Sequence, residues 1–469
     1  MNKILRGTVY LAASALFIKV VGAVYRLYLT SLIGADGVGI YQMVFPFYAM
    51  LLTLSSSGIP AGLATLIAGG VDPEKVVYKS VIALSFSGLL GSGLMFFGSE
   101  VFSALQKCAA AAKGFRALSP SVFLVSVIAV IRGYFQGQSK MGPTAISQVI
   151  EQVTKCALGI ILIRIFSSSP EEGAFFACLA VTLSEGLALS YLIWAFFADK
   201  KDIGSPSSPT VKSVDFDLKG ILVAVLPAMV STAVFPMVRT VDTFIVVRGL
   251  KAYTDGATGL YGLYAGGVEV FISVFTSLSV GLSASALPSM VGDRGKWVGK
   301  RLIVLTAILS LSAAAATWIF APFMVGVVYS TLDGPTRGAL TALLKFSAVN
   351  VFLLPVVQVS ATYLIARGRG ALSARNQLVG AVLKVIALTS LVQNPKINIY
   401  ALAFSDILCY FVAAILNLLY IISKENKGEA LGPLIVQKRL KGLGHKDEPY
   451  HYRPGNQKGG PFPKRLRKA

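Results

Sequence analysis

About a dozen apolar runs, most of them about 20 residues or longer, dominate this chain of 469 residues. A run of that length, wound as a helix, crosses the roughly 30 Å hydrocarbon core of a bilayer. Charged residues make up only 14% of the chain and hydrophobic ones 55%, whereas a soluble domain is about 25% charged. A water-soluble enzyme, a disordered chain and a fibrous chain are all excluded on that ground. A β-barrel would instead show short alternating segments. The predicted fold is an all-α polytopic membrane protein with about 12 transmembrane helices.

The expected spans are 8–30, 40–69, 76–98, 118–136, 144–166, 173–198, 220–247, 259–288, 299–329, 340–366, 373–393 and 397–423. An even number places both termini on one side. One set of loops carries seventeen Lys and Arg residues before the tail is counted, and the opposite set carries eight. Cytoplasmic loops hold the excess of Lys and Arg, so both termini are expected in the cytoplasm. Lys3 and Arg6 precede an apolar stretch interrupted by Lys19, which reads as the first transmembrane helix rather than a cleaved signal.

The net charge is +21. Residues 424–469 contribute 12 basic and 4 acidic residues to it, and the rest marks loop orientation rather than nucleic-acid binding. The tail reads as a solvated basic end, in which Ile435–Leu443 mixes apolar and basic residues suited to the inner leaflet. The four cysteines, Cys108, Cys156, Cys178 and Cys409, form no CxxC, and His445 and His451 lie in the tail. No disulfide framework, metal site or cofactor is expected.

The chain repeats itself. Gly39-Ile40-Tyr41 recurs as Gly259-Leu260-Tyr261, a spacing at which Lys19 aligns with Arg239 and Ser57 with Ser277. Further on, Tyr134, Gln148 and Lys155 align with Tyr363, Gln377 and Lys384. Several matches in register predict a duplication, with two pseudo-symmetric six-helix lobes related by an axis along the membrane normal. The lobes are drawn at 1–198 and 220–423, with a connector at 199–219 and a basic tail at 424–469. Parallel repeats place a site between the lobes near the midplane, exposed alternately to each side. Pro46, Pro60, Pro227, Pro236, Pro288 and Pro355 fall inside spans, where they permit bends.

Charges within the spans are the candidate site residues, because burying them costs several kcal/mol. Lys19 and Arg26 lie two turns apart on one helix face with no acid in their span, and are expected to meet a substrate anion. Arg239 stands at the repeat position of Lys19, and Lys384 at that of Lys155; these five form the expected anion-binding set. Glu151 with Lys155 and Arg239 with Asp242 are spaced for pairing on their own helices. Glu151, Glu185, Asp242, Glu269 and Asp406 are candidates for ion pairs or for coupling to Na+ or H+. Lys345, near a helix end, is expected to snorkel. No GxxxxGK[ST], HExxH or GxSxG motif occurs, so the chain is not expected to be an enzyme.

Three stretches, KVVGAVYRLYLTSLIGADGVGIY from Lys19, IRGYFQGQSKMGPTAISQVIEQ from Ile131, and PAMVSTAVFPMVRTVDTFIVV within Leu226–Val247, carry a family likeness. The chain resembles polysaccharide-biosynthesis transporters of the group of stage V sporulation protein B and related lipid II flippases. That superfamily also holds multidrug and toxin extruders. The resemblance spans roughly residues 1–423. It implies two six-helix lobes in a V around a cationic cavity, in a bacterial cytoplasmic membrane. It implies transfer of an undecaprenyl-pyrophosphate-linked peptidoglycan precursor from inner to outer leaflet, by a monomer whose partners include the lipid bilayer and cell-wall synthesis enzymes. Basic residues on the first helix serve the family, and Lys19 and Arg26 match them. Glu269 stands where some flippases carry an arginine, and relatives with fourteen helices house the lipid tail in the last two. The alternatives are a cation-coupled multidrug exporter of the same fold, a flippase for another polyprenyl-linked glycan, and a scaffold for cell-wall enzymes.

Overall fold

The computed structural model describes residues 3–56, 59–68, 72–138, 140–202, 236–276, 290, 295–330, 332–367 and 369–426. The connector beyond 202, the start of the seventh span, the end of the eighth and the tail beyond 426 lie outside the described residues, as does the side chain of Lys19. The described elements are helices: α1 Lys3–Ser56, α2 Ile59–Ala68, α3 Pro73–Phe97, α4 Ser99–Leu105, α5 Ala111–Gly137, α6 Met141–Phe166 and α7 Pro170–Asp202. After them come α8 at 236–250, α9 Ala257–Thr276, α10 Gly295–Val328, α11 Gly334–Ala366, α12 Gly370–Leu391 and α13 Tyr400–Asn426. Nine described helices are long and apolar enough to cross a membrane, and the protein is a multi-pass membrane protein.

The first two expected spans run into one another through α1, which is a hairpin. Gly34 adopts φ 68° and ψ 179°, a conformation essentially confined to glycine. The guanidinium of Arg26 lies 5.6 Å from the ring centre of Phe45. Nineteen residues of straight helix would hold them about 28 Å apart at 1.5 Å per residue, so the chain folds back at Gly34. This residue makes the turn between the two arms without a loop.

Outer helices carry their apolar residues on all sides, as bilayer contact requires. In α3, Val77, Leu84, Gly88 and Met95 are buried, while Ile82, Phe86, Leu90 and Phe97 are exposed. The buried set recurs every four or seven residues and marks one stripe, which packs on α5. Asp72 starts α3 by accepting from the amides of Glu74 and Lys75, with Pro73 at the first helical position. Asp333 caps α11 in the same way through the Thr336 amide at 3.0 Å.

The two lobes, α1–α7 and α8–α13, meet at the end of the bundle that holds Gly34. One buried apolar cluster there joins Leu29, Val38 and Tyr41 of the first lobe to Val247, Leu250, Tyr261 and Tyr264 of the second. Toward the other end the cores formed by the described residues are separate. One, with Leu63, Leu84, Ile131 and Phe196, belongs to the first lobe, and the other, with Met290, Ile303, Tyr363 and Ile421, to the second. The lobes therefore converge at the Gly34 rim and hold distinct cores away from it.

Glycines of both lobes form the seam. A Cβ on Gly262 would stand 2.0 Å from the Ala35 carbonyl oxygen, and one on Gly39 would stand 2.2 Å from that of Thr258. Contacts this close exclude any side chain, which is how helices approach in a membrane. Gln42 Nε2 donates to the Ala265 carbonyl at 3.2 Å, and Tyr261 Oη donates to the Gln42 carbonyl at 3.3 Å. Gln106 Nε2 reaches both the Met43 carbonyl and Thr243 Oγ1 at 3.0 Å. Ala265 lies in a π-helical turn, Leu263–Val268, whose wide winding offsets the carbonyls from their usual partners.

Gly34→Ala should lower the melting temperature of the purified protein, since a non-glycine residue there costs about 1–3 kcal/mol. Gly338→Ala, in open space on α11, should not. Gly262→Val should wedge the seam, seen as a longer distance between spin labels on the exposed Glu171 and Asp255. An unchanged distance would mean that the seam does not hold the rim together.

Candidate functional site

Charge inside the bundle gathers in two clusters, one per lobe. In the first lobe, Arg26 comes from the first arm of α1, Arg132 from α5, Glu151 and Lys155 from α6, and Glu185 from α7. The spacing of Glu151 and Lys155 predicts a pair along one helix, but Glu151 instead accepts from Arg132 Nη2 at 3.0 Å. Arg132, near the end of the expected span 118–136, is thus committed to a carboxylate. Lys155 Nζ donates to Gln152 Oε1 at 2.8 Å and lies within the electrostatic reach of Glu151, Arg26 and Glu185. Arg26 faces the Phe45 ring, an attraction worth about 0.5–2 kcal/mol. Neither Arg26 nor Lys155 forms an ion pair with a described carboxylate. Glu185 is buried and accepts from Tyr48 Oη, while its Oε2 has no described hydrogen-bond partner.

The second lobe is wired differently. Lys384 on α12 is bound by two carboxylates at once, Asp242 on α8 at 2.5 Å and Asp406 on α13 at 2.6 Å. All three side chains are buried, the lysine at 4% exposure, so its ammonium is already enclosed and is not open to a substrate anion here. Lys384, expected in the anion-binding set, is placed here between two carboxylates. Tyr264 Oη donates to the other oxygen of Asp406 at 2.7 Å, and Asp242 Oδ1 has no described partner. Arg239 pairs with Glu269 rather than with Asp242. Local spacing suggested the closer acid, but Asp242 is drawn to Lys384 across the lobe.

A cavity of about 230 Å³ opens beside this cluster. Its lining includes Arg239, Glu269, Asp406, Tyr264, Asn350 and Gln358. Both side-chain polar atoms of Asn350 are buried without a hydrogen-bond partner among the described residues. The lining comes from α8, α9, α11 and α13 of one lobe, so the expected convergence of Arg26 and Arg239 on one hollow is not seen among the described residues. A larger cavity, about 530 Å³, lies elsewhere, at the Gly34 rim between Lys107 of the α4–α5 loop and Arg248 of α8.

Five ionisable groups in each lobe give opposite compositions. The first lobe holds three cations against two carboxylates, before Lys19 is counted, and the second holds two cations against three carboxylates. No group of His, Cys, Asp and Glu residues suited to a metal ion occurs among the described residues. Sequence reasoning found the charges but missed Tyr48, Tyr264, Gln152 and Asn350, which lack a distinguishing local pattern. Lys345, expected at a helix end, sits 5.4 Å from the Trp318 ring centre.

The arrangement of two lobes, each with buried charge, can be set against known proteins. The polysaccharide biosynthesis protein family matches residues 4–292, more than half of the chain. The chain belongs to this family. It is 24% identical over 420 residues to stage V sporulation protein B of Bacillus subtilis (strain 168), covering 86% of this chain and 80% of that protein. It is 21% identical over 366 residues to lipid II flippase MurJ of the same organism, covering 71% and 65% of the two chains. Among solved structures, an inward-facing multidrug resistance MATE family transporter of the MOP superfamily superposes with a TM-score of 0.67 at 16% identity. That match covers 88% of this chain and 98% of the transporter. The fold of this family member is thus that of a two-lobed transporter.

Lys384→Met should destabilise the protein by about 3–5 kcal/mol, because it strands two buried carboxylates. The triple variant with Asp242→Asn and Asp406→Asn should recover most of the loss in a detergent melting experiment. Equal melting of wild type and Lys384→Met would mean that the lysine is not what balances the two acids.

Proposed function

We propose that the protein is a flippase that moves a polyprenyl-diphosphate-linked oligosaccharide, of the lipid II type, from the inner to the outer leaflet of a bacterial cytoplasmic membrane. The observation that carries this reading is the first-lobe cluster, in which Arg26 and Lys155 stand without a described carboxylate partner. A diphosphate cannot cross hydrocarbon unaided. Cations in a wet cleft replace part of its hydration with charge-assisted hydrogen bonds.

The lobes join at the Gly34 rim, which the loop charges assign to the outer face, and keep separate cores toward the cytoplasmic end. In this reading the headgroup enters from the cytoplasmic leaflet, the lobes rock about the midplane, and opening of the glycine seam releases it outside. The bilayer accepts the polyprenyl chain throughout. The family match and the names of the two Bacillus relatives support the substrate class. Both termini face the cytoplasm, and the protein works as a transporting monomer rather than an enzyme, beside the enzymes that build and use the glycan.

The second-lobe cluster suits a different task. Its excess of carboxylate favours a proton or Na+ over an anion, and one charge moved through 100 mV supplies about 2.3 kcal/mol. The same excess favours a second reading, a cation-coupled exporter of cationic drugs.

Depleting the protein in a strain without redundant flippases should raise lipid II on the inner leaflet, measured by a leaflet-specific labelling assay. Complementation by Arg26→Gln should restore transport at least about ten-fold less well than wild type, the loss of roughly one charge-assisted contact. An unchanged leaflet distribution on depletion, with cationic drug resistance lost instead, would favour the exporter.

A further inference from the structure

The two charge clusters share three parts, a tyrosine, the buried carboxylate it donates to, and a lysine, and they differ in what holds the lysine. In each lobe the second helix supplies a tyrosine whose hydroxyl donates to a buried carboxylate on the sixth: Tyr48 to Glu185, and Tyr264 to Asp406. In each, the fifth helix supplies a lysine, Lys155 or Lys384, at corresponding positions of the repeat. The partner of that lysine differs. At the spacing that aligns Gly39 with Gly259, Gly22 corresponds to Asp242. At the spacing that aligns Lys155 with Lys384, Gln152 corresponds to Ala381.

The exchange is compensating in space. Asp242 reaches from the first helix of its lobe to hold Lys384 at 2.5 Å, and the position of Gln152 is taken by the small Ala381. In the other lobe the first helix offers no side chain at Gly22. A Cβ there would lie 3.1 Å from Gln152 Nε2, so the Gln152 amide occupies the ground that the aspartate holds in the copy. That amide binds Lys155 at 2.8 Å. A neutral acceptor has replaced an ionised one beside an equivalent lysine. Lys384 is buried, whereas Lys155 keeps part of its surface open.

We infer that the Gly22–Gln152 pair determines the specificity of the first lobe, by keeping Lys155 available to the phosphate of an amphiphilic substrate. The inference rests on the flippase reading and names the positions that make one lobe select an anion. A lysine bound by two carboxylates gains little from a third anion. A lysine bound by an amide oxygen has no counter-charge in that bond and exchanges that weaker partner for a phosphate oxygen. Of the two first-lobe carboxylates, Glu151 is paired with Arg132 and Glu185 is the other. It is turned to Tyr48 and leaves the ammonium to the amide.

The test rebuilds the second lobe's chemistry in the first. Gly22→Asp combined with Gln152→Ala copies the Asp242–Ala381 pair, and Gly22→Asn with Gln152→Ala copies its shape without its charge. Each protein, full length in phosphatidylcholine nanodiscs, is titrated with farnesyl diphosphate and read by native mass spectrometry, with melting temperature recorded alongside. Wild type and the asparagine variant should bind the probe. The aspartate variant should bind at least about ten-fold more weakly, as expected when a charged contact is forfeited, with melting unchanged or raised by the new ion pair. Equal binding by wild type and the aspartate variant would overturn the inference while the flippase reading stands. Loss of binding in the asparagine variant as well would assign the effect to bulk and overturn it too. Failure of wild type to bind the probe would overturn the flippase reading, and this inference with it.

Discussion

Close backbone contact between the two repeats at the Gly34 rim is the constraint on which the molecule depends. Two helical bundles in lipid have no hydrophobic drive to associate, since acyl chains are as apolar as leucine. What holds them is van der Waals contact and hydrogen bonding, and both need the backbones close. Gly39 and Gly262 remove the side chains that would keep α1 and α9 apart, and Gln42, Tyr261 and Gln106 then reach carbonyls and a hydroxyl across the gap. A contact built from small increments rather than one deep apolar interface is suited to being made and broken.

The interior charges show how the same duplicated scaffold serves two chemistries. Low dielectric makes every unbalanced ion expensive, so each lobe must settle its account by helix-to-helix contacts. The second lobe closes around Lys384 with acids from α8 and α13, and Arg239 takes Glu269. The first lobe commits Arg132 to Glu151 and leaves its remaining cations to an aromatic face and an amide.

Much of the fold was legible in the sequence, because apolar run length is a direct consequence of bilayer thickness. Helix ends at Pro73, Met141, Pro170 and Gly370 lie within several residues of the expected spans. The first two spans were separated correctly, yet the expected gap between them is a single glycine conformation, which run length cannot register. Charged candidates were legible for the same reason, since ions in apolar runs stand out. Their partners were not. Spacing along one helix suggested Glu151 with Lys155 and Arg239 with Asp242, and both acids are claimed by other helices. Pairing in a bundle is decided by which helix lies opposite, and that is a tertiary property. Tyr48 and Tyr264 went unnoticed because a tyrosine in an apolar run looks like any other aromatic residue.

The π-helical turn at Leu263–Val268 has one further effect on α9. An α-helix advances about 100° per residue, and a single wide turn acts as a one-residue insertion. Every residue after it is therefore rotated by about that angle relative to the Gly259–Gly262 stretch that packs on α1. Glu269, the first residue beyond the turn, owes its direction toward Arg239 to that offset. Rewinding the turn to an ordinary helix would swing the carboxylate roughly a quarter of the way round the axis, so the winding of α9 sets whether the arginine has a counter-ion.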